Sequence, residues 1–549
     1  MPYDVRIVSA LEKVFADEAP LEGMPALSVF LRDTASFQVA CTMDGRTPKW
    51  VTVQVESPLL PWMTVREVKL SPSTYPCHPM QDEGYLRCTP GLFPDRLAPL
   101  EAGERFKVIP GQWRALWLDV EPDEAAPVGP SPVTVIGIEE DGTEAFRQTL
   151  TVEVIGQVLP KHMLYHTEWF HADCLADYYG VDPDSDAFFD MVEPFLRTAV
   201  KRGMNTILTP MFTPPLDTAE GGERTTVQLV GVRREGGAYT FDFSRLARWV
   251  ALCDACGMET IELSHLFSQW GAKYAPKIMG YDHGQYRQLF GWDTPGTGEA
   301  YVGFLDSFLP ALRAALEDMG IAHRCLLHIS DEPEERDLER YRRAKEIVRA
   351  RIADIPIVDA MSHFELYQTS GVEVPIVANN AIQPFLDADV TPLWTYYCTA
   401  QWREVSNRFF SMPSARTRIL GVQLYKYDIQ GFLHWGYNFY NTQYSLRQIN
   451  PYVVTDAGDA FPSGDAFLVY PGPDGQPEES IRIMLMQQAF DDIRALRLLE
   501  SLTDRGYVLR LIEEGLEEPI TFDRYPKDAG YLLQLRARAN QEIARNLHE

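Results

Sequence analysis

Apolar residues alternate with polar ones at every second position through much of the first 157 residues. The runs Trp50-Val-Thr-Val-Gln-Val-Glu56, Trp113-Arg-Ala-Leu-Trp-Leu-Asp-Val120 and Thr149-Leu-Thr-Val-Glu-Val-Ile155 are separated by Pro, Gly and Asp turns. That period, with a proline-rich link at 122–132, predicts a β-sandwich over residues 1–157. After Pro160 the pattern changes. Short apolar runs at 162–170, 206–210, 260–266, 325–330, 357–361, 375–378, 393–398 and 431–435 read as strands. Amphipathic helices are predicted between them, notably at 187–202, 244–256, 301–319 and 333–351, and residues 226–243 read as an inserted hairpin. Eight alternating units across about 275 residues have the number and size of a (β/α)8 barrel. The expected organisation is therefore a β-sandwich at 1–157, a (β/α)8 TIM-type barrel at 158–480, and helices packed on the barrel at 481–549, a multidomain β plus α/β chain.

At 549 residues the chain has room for such a barrel and a smaller unit beside it. A net charge of −28 argues against nucleic acid and against adhesion to anionic membranes, and favours a neutral or cationic substrate. The first residues lack the basic start and apolar stretch of an export signal, and no run is long enough to span a bilayer. The eight cysteines form no regular framework. Cys253 and Cys256 lie in a helical pattern ended by Gly257, without a second pair to complete a zinc site, and read as packed thiols. A cytoplasmic protein with reduced cysteines is expected. The oligomeric state is not legible.

The residues that change this picture are Asp331 and Glu332, in the run Cys-Leu-Leu-His-Ile-Ser-Asp-Glu-Pro at 325–333. Acids are costly in a core, so a pair delivered to the mouth of a buried strand points to proton chemistry on a ligand. The plainer reading is that both acids begin the following helix, where negative charge is favoured. Other predicted strand ends carry Glu168, His171 and Asp173; Asp217; His265, Gln269 and Trp270; Tyr396; and His434, Trp435 and Asn438. Between Trp394 and Tyr444 there are 14 aromatic residues in 51. Individually these rings fit a core; as a cluster at strand ends they fit the faces of a sugar. No metal-binding spacing, nucleotide-binding loop or serine-nucleophile elbow occurs, so no cofactor or metal is expected. Carboxylates in an aromatic cleft match glycoside hydrolysis. Two acids adjacent in sequence fit its substrate-assisted form, in which the sugar's 2-acetamido oxygen attacks the anomeric carbon.

The stretches His328-Ile-Ser-Asp-Glu-Pro333, Glu262-Leu-Ser-His-Leu-Phe-Ser-Gln-Trp-Gly271, Gly431-Phe-Leu-His-Trp-Gly-Tyr-Asn438 and Gly464-Asp-Ala-Phe-Leu-Val-Tyr-Pro-Gly472 resemble glycoside hydrolase family 123 over roughly residues 160–500. The resemblance implies a sandwich followed by a barrel, acting as a retaining β-N-acetylgalactosaminidase on a glycan or glycoconjugate. Asp331 would assist the acetamido group and Glu332 would be the general acid/base. Asp173, Asp217, His265, Trp270, Tyr396, Trp435, Asn438 and Asp465 would bind the sugar. An intracellular oligosaccharide is the expected substrate. A glycosidase of other specificity on the same scaffold, or a carbohydrate-binding protein without turnover, are the alternatives.

Overall fold

The computed structural model describes residues 3–21, 23, 27–101 and 103–548. The alternating runs of the N-terminal part build two sheets. One has five strands in the order Leu27–Leu31, Glu144–Val158, Gly129–Glu139, Lys49–Glu56 and Arg105–Val108. The other has seven, beginning Tyr3–Ser9, Ala35–Met43, Arg114–Val120, Met63–Ser73 and Gly91–Pro99. Alternate side chains of both sheets, among them Phe37, Val39, Val51, Leu116, Val133 and Val152, are buried in one apolar cluster, as the period of two requires. The last two strands of the seven come from far along the chain: Pro477–Ser480 pairs antiparallel with Gly91–Pro99, and Tyr470–Pro471 pairs with Pro477–Ser480.

The alternating units after Pro160 form eight parallel strands: β1 (Tyr165–Glu168), β2 (Thr206–Thr209), β3 (Thr260–Leu263), β4 (Cys325–Leu327), β5 (Val358–Ala360), β6 (Val374–Ala378), β7 (Trp394–Tyr396) and β8 (Gly431–His434). Their order is β4-β3-β2-β1-β8-β7-β6-β5. A parallel bridge between Leu327 and Ile357 and a bond from Leu327 N to Pro356 O at 2.9 Å join β4 to β5 and nearly close the ring. Inward positions, including Leu208, Leu326, Val358, Ile376, Trp394 and Leu433, form a cluster of their own. Their neighbours Ile207, Ile261, Leu327, Val377 and Phe432 pack in the larger cluster that includes the surrounding helices. All eight predicted strands coincide with observed ones; seven are longer as predicted than as folded, and the one at 375–378 is a residue shorter than Val374–Ala378.

The helix expected at 333–351 starts late. Leu338–Arg349 is preceded by a 3-10 turn, Glu335–Asp337, whose N-cap Glu334 and Asp337 satisfy each other's backbone N–H groups. Pro333 disfavours helical backbone at the residue before it, and Glu332 sits at φ 41°. Asp331 and Glu332 are thus held in a loop and do not begin the helix. The predicted hairpin is Gly231–Glu235 with Ala238–Asp242, joined by an unforeseen second hairpin, Ile278–Asp282 with Gln285–Phe290.

The N-terminal sheets grip the barrel beside its mouth. Arg482 at the start of helix Ile481–Leu502 donates to Asp95 at 2.7 Å, and Glu479 accepts from both Arg66 and Arg202. His78 Nε2 lies 2.9 Å from the Thr399 carbonyl in the loop after β7. Among the described residues no helix is long and apolar enough to cross a membrane.

Candidate active site

Beyond β4 the chain leaves the barrel ladder and bonds to the loop after β3. Leu266 N and Phe267 N donate to the carbonyls of His328 and Ile329 at 3.3 and 3.1 Å. Ser330 Oγ accepts from Ala272 N at 3.0 Å and donates to Ser268 O at 2.8 Å. Trp270 N donates to Asp331 O at 2.8 Å. Gly271, at φ 102°, lies so close to Asp337 that a Cβ would sit 2.3 Å from its carboxyl carbon, so only glycine fits. These contacts deliver Asp331 and Glu332, both half-buried, into a hollow of about 220 Å3 at the C-terminal ends of the strands, where barrel enzymes place reactive groups. Asp217, Trp169, Tyr396 and Trp435 line the same hollow, with Trp270 and Tyr444 at its edge.

Proton affinities in the hollow are shifted upward. Burial, reinforced by the neighbouring Glu332 charge, pushes Asp331 well above the usual carboxylate range, with His328 pulling the other way. Burial also raises Glu332, opposed by the hydrogen bond that Tyr396 donates to its Oε1 at 2.5 Å. Asp217 is lifted by burial to about 6, although Tyr444 N donates to its Oδ2 at 3.0 Å. Three acids share the hollow, and among the described residues lining it none is Lys, Arg or His. Such a site can supply a proton, take one back, and accept hydrogen bonds from hydroxyl and amide groups.

Beneath the hollow lies a buried network. His328 Nε2 meets Glu262 Oε1 at 2.5 Å, and its Nδ1 meets Asp359 Oδ1 at 3.2 Å. Thr167 and the Trp169 indole donate to Glu262 at 2.6 and 2.9 Å. Tyr341 donates to Asp359 at 2.5 Å, and Ile329 N does so at 3.0 Å. Burial alone would lower His328, but its bonds to Asp359 and Glu262 lift it to about 9, so it is protonated at neutral pH. His265 stacks on it at 4.4 Å between ring centres. Burial and the adjacent His328 charge hold His265 well below the ordinary histidine range. His265, His328 and Asp359 bring donor atoms within 4.8 Å of one another. The His328 nitrogens and the Asp359 carboxylate are spent on each other and on their neighbours, which leaves a cation at most the stacked His265 nitrogen.

The sequence-predicted residues divide by placement. Asp331, Glu332, Asp217, Trp270, Tyr396 and Trp435 border the hollow. The others stand behind its wall. Asp465 is fully buried, accepts the Trp435 indole N–H at 3.0 Å, and is lifted by burial to about 7. Asn438 clamps the His171 backbone with bonds of 2.8 and 3.0 Å. Asp173 accepts from Arg224 Nε and Nη2, at 2.8 and 2.9 Å. His265 is buried beside His328. The aromatic concentration between Trp394 and Tyr444 is mostly core: of its 14 rings only Tyr396, Trp435 and Tyr444 line the hollow. Rings such as Tyr397, Phe409, Tyr425 and Tyr437 are instead buried in the barrel's surroundings. Trp169, Asp359 and Tyr444 were not singled out from sequence. An acid inside the apolar run Ile357-Val-Asp-Ala-Met361 was a signal that could have marked Asp359.

A family model described as "Glycoside hydrolase 123, catalytic domain" matches residues 169–499. The chain belongs to glycoside hydrolase family 123. Among solved structures it is similar to a family 123 glycoside hydrolase from Clostridium perfringens, studied for the details of glycolipid glycan hydrolysis. The TM-score is 0.75 at 12% identity, covering 100% of this chain and 98% of that one. A family 5 mannosidase from Rhizomucor miehei follows at TM-score 0.33 and 10% identity, covering 60% of this chain and 93% of that one. A β-glucuronidase from Parabacteroides merdae has TM-score 0.32 and 9% identity, covering 89% of this chain and 52% of that one. No curated protein matches the chain in sequence. Family 123 membership makes the protein a glycoside hydrolase acting on glycans, with the acid pair Asp331-Glu332 inside the matched segment.

Proposed function

We propose that this family 123 enzyme removes terminal β-linked N-acetylgalactosamine with retention of configuration, using the substrate's own acetamido group as nucleophile. The observation that carries this reading is the entry of two sequence-adjacent acids into one sugar-sized hollow. Neighbouring carboxyls on one loop leave little room for a sugar ring between them, as an enzyme nucleophile opposite an acid needs. An internal nucleophile removes that requirement.

Glu332, raised by burial, protonates the glycosidic oxygen as the C1–O bond breaks, while the acetamido carbonyl oxygen bonds to C1 and forms the oxazolinium. Asp331 accepts the acetamido N–H and stabilises the positive charge that develops there. Water then attacks C1, Glu332 takes its proton, and the acetamido group is restored. Asp217 supplies an acceptor for sugar hydroxyls, and Tyr396 and Trp435 present ring surface to the C–H faces. The Clostridium perfringens relative's link to glycolipid glycans supports a glycoconjugate as the source of the sugar.

Chromogenic β-GalNAc, β-GlcNAc and β-galactoside substrates compared side by side test the reading. Turnover of the β-GalNAc compound with little on the plain galactoside is expected. Equal hydrolysis of the galactoside would rule out acetamido participation.

A further inference from the structure

The antiparallel strands Met63–Ser73 and Gly91–Pro99 stay paired to their ends, with Ser73 opposite Gly91. Between those ends residues 74–90 leave the sandwich as a strap that lies on the loop after β7. Tyr85 Oη donates to Trp402 O at 2.6 Å, and Leu86 N donates to Ser411 O at 2.7 Å. Asp82 accepts from Glu404 N at 2.6 Å and from Arg416, just past that loop, at 2.9 and 2.8 Å. His78 Nε2 meets the carbonyl of Thr399, and Thr399 lines the hollow. One wall of the hollow is thus held from the N-terminal sheets.

These grips share a boundary. His78, Asp82, Tyr85 and Leu86 all lie between Cys77 and Cys88. Cys77 is four positions beyond Ser73 and Cys88 three before Gly91, so the strand register carries the two cysteines to facing sides of the strap's neck. There the Cys77 thiol lies 3.8 Å from the Cys88 carbonyl oxygen and within hydrogen-bonding reach of the Cys88 thiol. Both are free thiols, Cys77 buried and Cys88 exposed. Burial, with the Cys88 contact, pushes the Cys77 thiol up to about 12. Cys88 is therefore the sulfur that a dissolved disulfide meets first.

We propose that Cys77 and Cys88 are a reversible dithiol–disulfide pair, oxidised by a small-molecule disulfide such as glutathione disulfide, whose closure staples the strap onto the wall of the hollow. The Cys88 thiolate attacks one sulfur of glutathione disulfide, forming a mixed disulfide and releasing one glutathione thiolate. Cys77 gives its proton to solvent, its sulfur attacks Cys88 Sγ, and the second glutathione leaves as its thiolate. Two protein thiols are oxidised and one glutathione disulfide is reduced to two glutathiones. The ring that closes spans residues 77–88 and encloses all four gripping side chains. Cross-linking it removes conformations in which the strap has lifted from the barrel. Nothing in this pairing depends on which sugar the hollow takes.

The full-length protein, reduced and freed of reductant, is incubated with glutathione disulfide, digested without reduction and mapped by mass. Two peptides joined through Cys77 and Cys88, with the loss of two hydrogens, are expected, and dithiothreitol should separate them. Cys88 held as a stable glutathione adduct beside a free Cys77, or both thiols unchanged, would overturn the pairing. Amide hydrogen exchange reads the effect on the wall. In the linked protein, exchange at Leu86 and Glu404, whose N–H groups make two of the grips, should slow about 10-fold relative to the reduced protein. The exposed-site variant Cys88→Ser should show no slowing after the same treatment. Equal exchange in linked and reduced protein, or equal slowing in Cys88→Ser, would overturn the stapling.

Discussion

Tyr396 donates its hydroxyl proton to Glu332 Oε1 across 2.5 Å, linking β7 to the loop after β4 over the barrel mouth. The bond favours the ionised carboxylate while burial favours the neutral acid. Burial outweighs the bond, so the proton affinity of Glu332 stays above the ordinary carboxylate range, which suits the proposed role of giving a proton and then recovering one.

Replacing Tyr396 with Phe removes the one contribution that lowers Glu332. The alkaline limb of the kcat/KM profile should move to higher pH, with kcat falling roughly tenfold as the carboxyl loses its anchor. A pH–rate profile measures both effects. A limb that stays in place or moves down would show that Tyr396 does not tune the acid.

Glu332→Gln should cost about 10²–10⁴-fold in kcat/KM on natural glycosidic linkages. With a dinitrophenyl leaving group the loss in the first step should nearly vanish, and added azide should yield the β-azide. Comparable losses on both leaving groups would remove Glu332 from the acid role.

His328 is a source of pH-dependent stability. Its folded-state pKa of about 9 lies above the ordinary value of 6.5. The stabilisation is fully present below pH 6.5 and disappears as pH rises through 9, an effect of about 3 kcal/mol. Wild-type unfolding free energy should fall over that window, and the slope should be absent in His328→Gln. The variant should also be less stable at neutral pH, because Glu262 and Asp359 would remain buried without their cation. Parallel slopes in the two proteins would contradict the assignment.

Asp217, Asp331 and Glu332 line the hollow with no cationic side chain among the described lining residues. GalNAc 6-sulfate should therefore inhibit at least about tenfold more weakly than GalNAc, and Asp217→Asn should narrow the gap. Inhibition constants measured above pH 7, where Asp217 is ionised, check this. Equal inhibition by the two sugars would mean that the acids do not screen ligand charge.

The barrel was legible because its strands are bounded apolar runs and its helices keep one apolar face, so Thr206-Ile-Leu-Thr and Ser244 to Cys256 announce themselves. The acid pair was legible because carboxylates after an apolar run are rare. What could not be read was which polar residues face the hollow and which stand behind it. Asp217 and Asp465 are both acids that the sequence marks for sugar binding. Only the folded backbone puts the first in the wall and the second beneath the Trp435 indole. Asp173 likewise takes its place from Arg224, some fifty positions away, a pairing that no local period encodes. Aromatic density misled for the same reason: rings that fill a core and rings that meet a ligand share one composition.

The sheet that begins at Tyr3 is completed by Pro477–Ser480 and Tyr470–Pro471. A ribosome making this chain releases the first strands hundreds of residues before their last neighbours exist. Until then Gly91–Pro99 offers an open hydrogen-bonding edge, the kind of surface that invites pairing between nascent chains. Cutting the gene at the apparent border near residue 157 would therefore leave that edge bare on one fragment and strip the brace from the other.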